Sequence, residues 1–97
     1  MPPIKTYRKT ALVQAIQWTG TNLEEVTAFI SGREPLAADL WDNRWQDYED
    51  RVRRDGLTVH TLENPLKAAV GSFICKGVKG EHWPVAEAIF RETYEEV

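Results

Sequence analysis

LTVHTLENPLKAAVGSFICKGVKGEHWPV, residues 57–85, is interrupted so often by turn-forming residues that no long helix fits it. LTVHTLE is followed by Asn64-Pro65, LKAAV by Gly71, SFICKGV by Gly80, and the stretch closes on EHWPV. Short apolar runs bounded in this way are strands joined by tight turns. Side chains alternate between the faces of a strand, so Leu57, Val59 and Thr61 share one face while Thr58, His60 and Leu62 share the other. Phe73 and Cys75 likewise oppose Ile74, Lys76 and Val78. Apolar residues on both sides predict strands partly buried on both faces. With Phe73 and Cys75 taken as core, Lys76 is expected to point outward beside Ile74 and Val78. Pro84 has no N–H for a ladder, so its strand is an edge or bends there. Beyond it, Ala86, Ile89, Phe90 and Thr93 predict a short helical turn, and Tyr94 to Val97 are expected to return as a final strand.

Working toward the N-terminus, ALVQAIQW at 11–18 alternates, with Leu12, Gln14, Ile16 and Trp18 on one face and Val13, Ala15 and Gln17 on the other. A strand is predicted there, ended by Gly20. Asn22 followed by Glu25 reads as an N-cap with a capping box, and Glu24 and Glu25 suit the positive end of a helix dipole. Leu23, Val26, Phe29 and Ile30 lie along one helical stripe, and Gly32 is placed to terminate the helix in the left-handed conformation. The spacing therefore predicts a helix over 23–31. Residues 33–56 are open to two readings. Trp41, Trp45, Tyr48 and Val52 step by four, three and four residues, which puts them on one side of a second helix ending at Gly56. The other reading is an exposed insertion carrying function. The fold class is α+β: a small, mostly antiparallel sheet of short strands with an N-terminal helix and a second one.

With 97 residues, 42% of them hydrophobic and 28% charged, the chain is expected to form a single domain over 1–97 around one core. Its one cysteine, Cys75, cannot form an internal disulfide, which suits a reducing compartment. MPPIKTYRKT is basic but lacks an apolar core, and no stretch approaches the roughly 20 apolar residues of a membrane span, so neither secretion nor membrane association is expected. Twelve Lys and Arg against 15 Asp and Glu give a net charge of −3. That balance disfavours non-specific nucleic-acid binding. Local basic groups remain at Lys5, Arg8 and Lys9, at Arg51, Arg53 and Arg54, and at Lys76 and Lys79.

Catalytic patterns are weak. Neither His60 nor His82 has a second histidine at i+4, so no metal site is predicted. Ser31 and Ser72 lack a nucleophile-elbow setting. Gly71, Gly77 and Gly80 separate strands and do not lead into a helix, which makes them hairpin punctuation and not a phosphate loop. Cys75 in an apolar strand reads as a small core residue. Four tryptophans are a high count for this length. Trp18 reads as core, Trp41 and Trp45 as helix packing or an exposed contact patch, and Trp83, beside His82 and Pro84, as the one bordering a pocket.

The C-terminal stretch VGSFICKGVKGEHWPVAEAIFRETYEEV, 70–97, resembles a family of small uncharacterised phage and prophage proteins with a signature of the form PGDYIIKGVKGEFYPCKPDIFEKTYEPV. YRKTALVQAIQWTGTNLEEVTAFISG, 7–32, is similar to that family's opening, a basic tyrosine-containing lead followed by a strand ending in Gln-Trp and an acidic-capped helix. About two thirds of the chain is covered. Ser72 stands where the family has an aspartate, His82 and Trp83 replace a Phe-Tyr pair, and Val85 replaces a cysteine, so no chemistry that needs the replaced groups carries over.

The resemblance implies a phage-encoded accessory protein acting in the host cytoplasm. The leading expectation is a non-enzymatic binder, without cofactor, that neutralises a host defence factor or a nucleotide immune signal. A virion or assembly component is the alternative, followed by a small-molecule enzyme and by regulation through nucleic-acid contact. Short sheet edges and surplus tryptophan predict a homo-oligomer. The expected contact surface joins the basic lead to the GVKGEHW turn, with Arg8, Lys76 and Lys79 supplying charge and His82 with Trp83 a flat stacking face. The competing reading makes these residues solvated turn positions.

Overall fold

β1 (Gln14–Gln17), α1 (Leu23–Ser31), α2 (Asn43–Asp55), β2 (Leu57–His60), β3 (Pro65–Ala68), β4 (Phe73–Lys76), β5 (His82–Val85) and α3 (Glu87–Thr93) follow one another along the chain. They are seen in a computed structural model that describes residues 4–8, 11–32 and 43–97. Strands pair antiparallel throughout, in a three-stranded sheet of order β1-β4-β5 and a two-stranded hairpin β2-β3. The architecture is α+β, as the sequence pattern predicts.

Local chemistry explains the boundaries. α1 ends where Gly32, at φ 78°, takes the left-handed conformation and donates its N–H to the Ala28 carbonyl at 2.8 Å. Its start differs from the expected capping box, because the Asn22 side chain makes no cap bond. Instead Asn22 Oδ1 accepts from the Thr19 N–H at 2.9 Å and the Thr19 hydroxyl at 3.0 Å, while its Nδ2 donates to the Gln17 carbonyl at 2.8 Å. The amide is spent closing the turn between β1 and α1, which leaves nothing for the helix N-terminus. α2 places Trp45, Tyr48 and Val52 against the rest of the domain, the helical alternative of the two, and Gly56 follows it with its N–H on the Val52 carbonyl at 2.9 Å. Trp41 and the rest of 33–42 lie outside the described residues.

Trp18, Leu23, Val26, Val52, Leu57, Val59, Ala68 and Ile74 form the core, with Ile16, Phe29, Ile30, Trp45 and Tyr48 packed around them. α2 is also fastened by Arg53, whose Nε donates to the Gly20 carbonyl and whose guanidinium pairs with Glu49 and with Asp50 at 2.7 Å.

The sheet is covered on both sides. Register places Ile16, Ile74 and Pro84 on the core face, and Gln17, Phe73 and Val85 on the opposite one. Ile74 is fully buried, so the expectation that it points outward is corrected. On the opposite face, α3 lays Phe90 flat on Phe73, with centroids 3.9 Å apart and planes 6° from parallel, and Tyr94 stacks on Phe90 at 4.7 Å. Both faces of β4 are therefore apolar for a reason, and Cys75 is fully buried without belonging to the main core. The last four residues do not form the expected strand. α3 ends at Tyr94, whose ring is committed to the Phe90 stack, and the tail stays outside both sheets.

Candidate functional site

β4 and β5 are joined by Gly77-Val78-Lys79-Gly80-Glu81, a turn that bonds to itself. Gly77 N–H donates to the Glu81 carbonyl at 2.9 Å, Gly80 N–H to the Gly77 carbonyl at 3.0 Å, and the Lys79 N–H to Glu81 Oε2 at 3.1 Å. Gly77 packs closely against the Glu81 and Trp83 side chains. A Cβ there would fall 1.4 Å from Glu81 Oε1 and 3.1 Å from Trp83 Cζ3, so any side chain would push out the carboxylate that braces Lys79. The glycines and the glutamate of the GVKGE segment thus build one self-bonded turn, with Val78 and Lys79 exposed at its tip.

The register sorts the predicted contact residues. Lys76 lies opposite His82 and, across the other side of β4, opposite Gln14. Both Lys76 and His82 are half-buried on the core face. The His82 ring meets Phe29 edge-on at 5.9 Å and 79°, against the last turn of α1. Trp83 pairs with Cys75 and so projects to the opposite face, over Gly77. His82 and Trp83 therefore do not form one stacking surface, because neighbours in a strand point to opposite sides. Arg8 is exposed in the lead. Since Gln14 faces Lys76, the lead enters the sheet at the end where the GVKGE turn lies.

Sequence reasoning missed the contact between His82 and α1, which joins residues far apart in the chain. Burial, assisted by the nearby Lys76 charge, pushes the His82 imidazole below its ordinary value of 6.5, while a hydrogen bond to the Phe29 backbone and the Glu81 carboxylate pull the other way. Its Nε2 is buried with no hydrogen-bond partner among the described residues. A depressed histidine pKa means that the unfolded chain takes up the proton first on acidification. The stability it contributes is complete above about pH 6.5 and is lost as the pH falls through the folded value. We expect the melting temperature to fall on acidification from about pH 7 to pH 5, ahead of carboxylate titration, and His82→Gln to flatten that slope. An equal slope in the variant would assign the loss to other groups.

Among the described residues no helix is long and apolar enough to cross a membrane, and no three His, Cys, Asp or Glu side chains converge as a metal site. No family model, curated protein or solved structure matches the chain.

Proposed function

We propose that the protein is a phage-encoded, non-enzymatic accessory protein of the host cytoplasm that neutralises a host defence factor through the β4–β5 hairpin. The observation that carries this reading is the self-bonded turn, which holds Lys79 at an exposed tip with Lys76 and His82 on one face behind it and Trp83 on the other. A pre-organised projection of this kind loses little conformational entropy on binding, and Lys79 supplies charge for a partner carboxylate. The resemblance at 70–97 supports the phage setting. A protein factor fits better than a nucleotide signal, because a base stacked on Trp83 leaves Lys76 on the far side of the strand from its phosphate.

The test is plaque formation by a sensitive phage carrying this gene, across hosts that each hold one defence system. Rescue in at least one host is expected, and Lys79→Glu should abolish it without changing the melting temperature. Failure to rescue in every host would overturn the reading. A nucleotide released from the purified protein on heating would favour the signal-binding version instead. The second reading, a virion or assembly component, is favoured by the apolar residues exposed in the N-terminal lead, and it predicts the protein in purified particles by mass spectrometry.

A further inference from the structure

Beside α3 lies a groove of about 730 Å³. Its apolar lining includes Leu12, Ala15, Phe73, Phe90, Tyr94 and Val97. Its rim is acidic, with Glu95 and Glu96 both exposed on the tail. Arg91, which also lines it, is engaged with Glu87 at 3.1 Å and lies over the Phe73 ring. The groove is thus an apolar trough whose uncommitted charge is negative.

The complementary segment belongs to the same chain. The lead Ile4-Lys5-Thr6-Tyr7-Arg8 alternates apolar and basic groups, and its two large apolar side chains are 86% and 85% exposed. That exposure leaves apolar surface in water that a partner groove could cover. The molecule measures 60 Å along its long axis but only 26 and 24 Å across. Ala11, Leu12 and Val13 themselves line the groove, so seating the lead in its own groove needs a reversal just before them. The chain bends at Ala11, yet Ile4 and Tyr7 stay exposed and do not line the groove of their own molecule. Fully extended, residues 4–13 span about 30 Å, enough to reach a neighbour. β1, which follows the lead, is an edge strand of its sheet.

We propose that the occupant of the groove is the N-terminal lead of a second copy of this chain, exchanged reciprocally in a two-fold dimer. Ile4 and Tyr7 of each copy fill the other's trough, and Lys5 and Arg8 lie against Glu95 and Glu96. The same pairing made twice closes the assembly, which is the usual outcome of a reciprocal contact. The proposal stands independently of the function suggested above.

Sedimentation equilibrium on the full chain tests it, with circular dichroism to confirm that each variant is folded. The wild type should give twice the 11.1 kDa chain mass at micromolar concentration. Tyr7→Asp should raise the dissociation constant by at least about tenfold. Lys5→Glu with Arg8→Glu should be monomeric, and so should Glu95→Lys with Glu96→Lys. Mixing those two double variants should restore a dimer, because both exchanged contacts are then complementary, and all four changes in one chain should restore a homodimer. A wild-type monomer, a dimer indifferent to Tyr7→Asp, or mixed variants that stay apart would each overturn the proposal.

Discussion

Trp18→Ala is expected to lower the unfolding free energy by about 3–5 kcal/mol, the range for removing a large aromatic from a packed core. Trp18 heads the fully buried side chains and sits where β1 hands over to the turn before α1. Its backbone is held as well, since its N–H donates to the Ser72 carbonyl at 2.8 Å and its carbonyl accepts from Gly71 at 2.6 Å. The cavity therefore cannot close by moving the chain. A domain of this size is stable by roughly 5–15 kcal/mol in all, so the variant should be largely unfolded at mild urea concentrations. Trp18→Phe should cost only about 1–2 kcal/mol, because the buried indole N–H has no acceptor among the described residues and no such bond is lost. Urea denaturation followed by circular dichroism measures both. A loss below about 1 kcal/mol for the alanine variant would mean that the core does not depend on this side chain.

The second large effect is expected at Ile74→Ala, about 3 kcal/mol by the same mechanism. Ile74 occupies the middle strand of its sheet and meets Ile16 on one side and Pro84 on the other. Val78, which strand parity groups with Ile74, is 75% exposed at the turn tip, and Val78→Ala should stay within about 0.5 kcal/mol. Equal losses at the two positions, in the same urea experiment, would contradict the burial gradient along this face.

Ile74 also shows where sequence reading stops. Alternation in SFICKGV reveals a strand but not which face meets the core, because each face carries large apolar groups. The deciding contact is Phe90 on Phe73, between segments whose packing no local pattern encodes. α1 was legible to the residue because stripe and terminating glycine coincide at 23–31. Asn22 was legible as a turn residue but not in its bonds, since whether its amide faces the helix or Thr19 depends on the path of the turn. The C-terminal strand expected at Tyr94 to Val97 failed because strand propensity counts for little without a partner edge, and Tyr94 gains more from stacking on Phe90.

Of the expected contact residues, Lys76 and Lys79 fall on the hairpin as foreseen from the glycine punctuation. The separation of His82 from Trp83 follows from the two-residue period alone, whereas the packing of His82 on Phe29 required the tertiary structure. The groove beside α3 left no mark in the local sequence pattern, because Phe73 and Phe90 meet there only once α3 folds back across β4.

The pairing of Gln14 with Lys76 carries a kinetic meaning. The β2–β3 and β4–β5 hairpins close over short loops, whereas β1 joins its partner across most of the chain and must meet the full loop-closure entropy. During synthesis the first strand emerges long before the one it needs, and it stays without that partner until β4 has left the ribosome. The C-terminal hairpins are therefore expected to form before β1 docks, and brief proteolysis of stalled nascent chains should cut the N-terminal third until β4 has emerged.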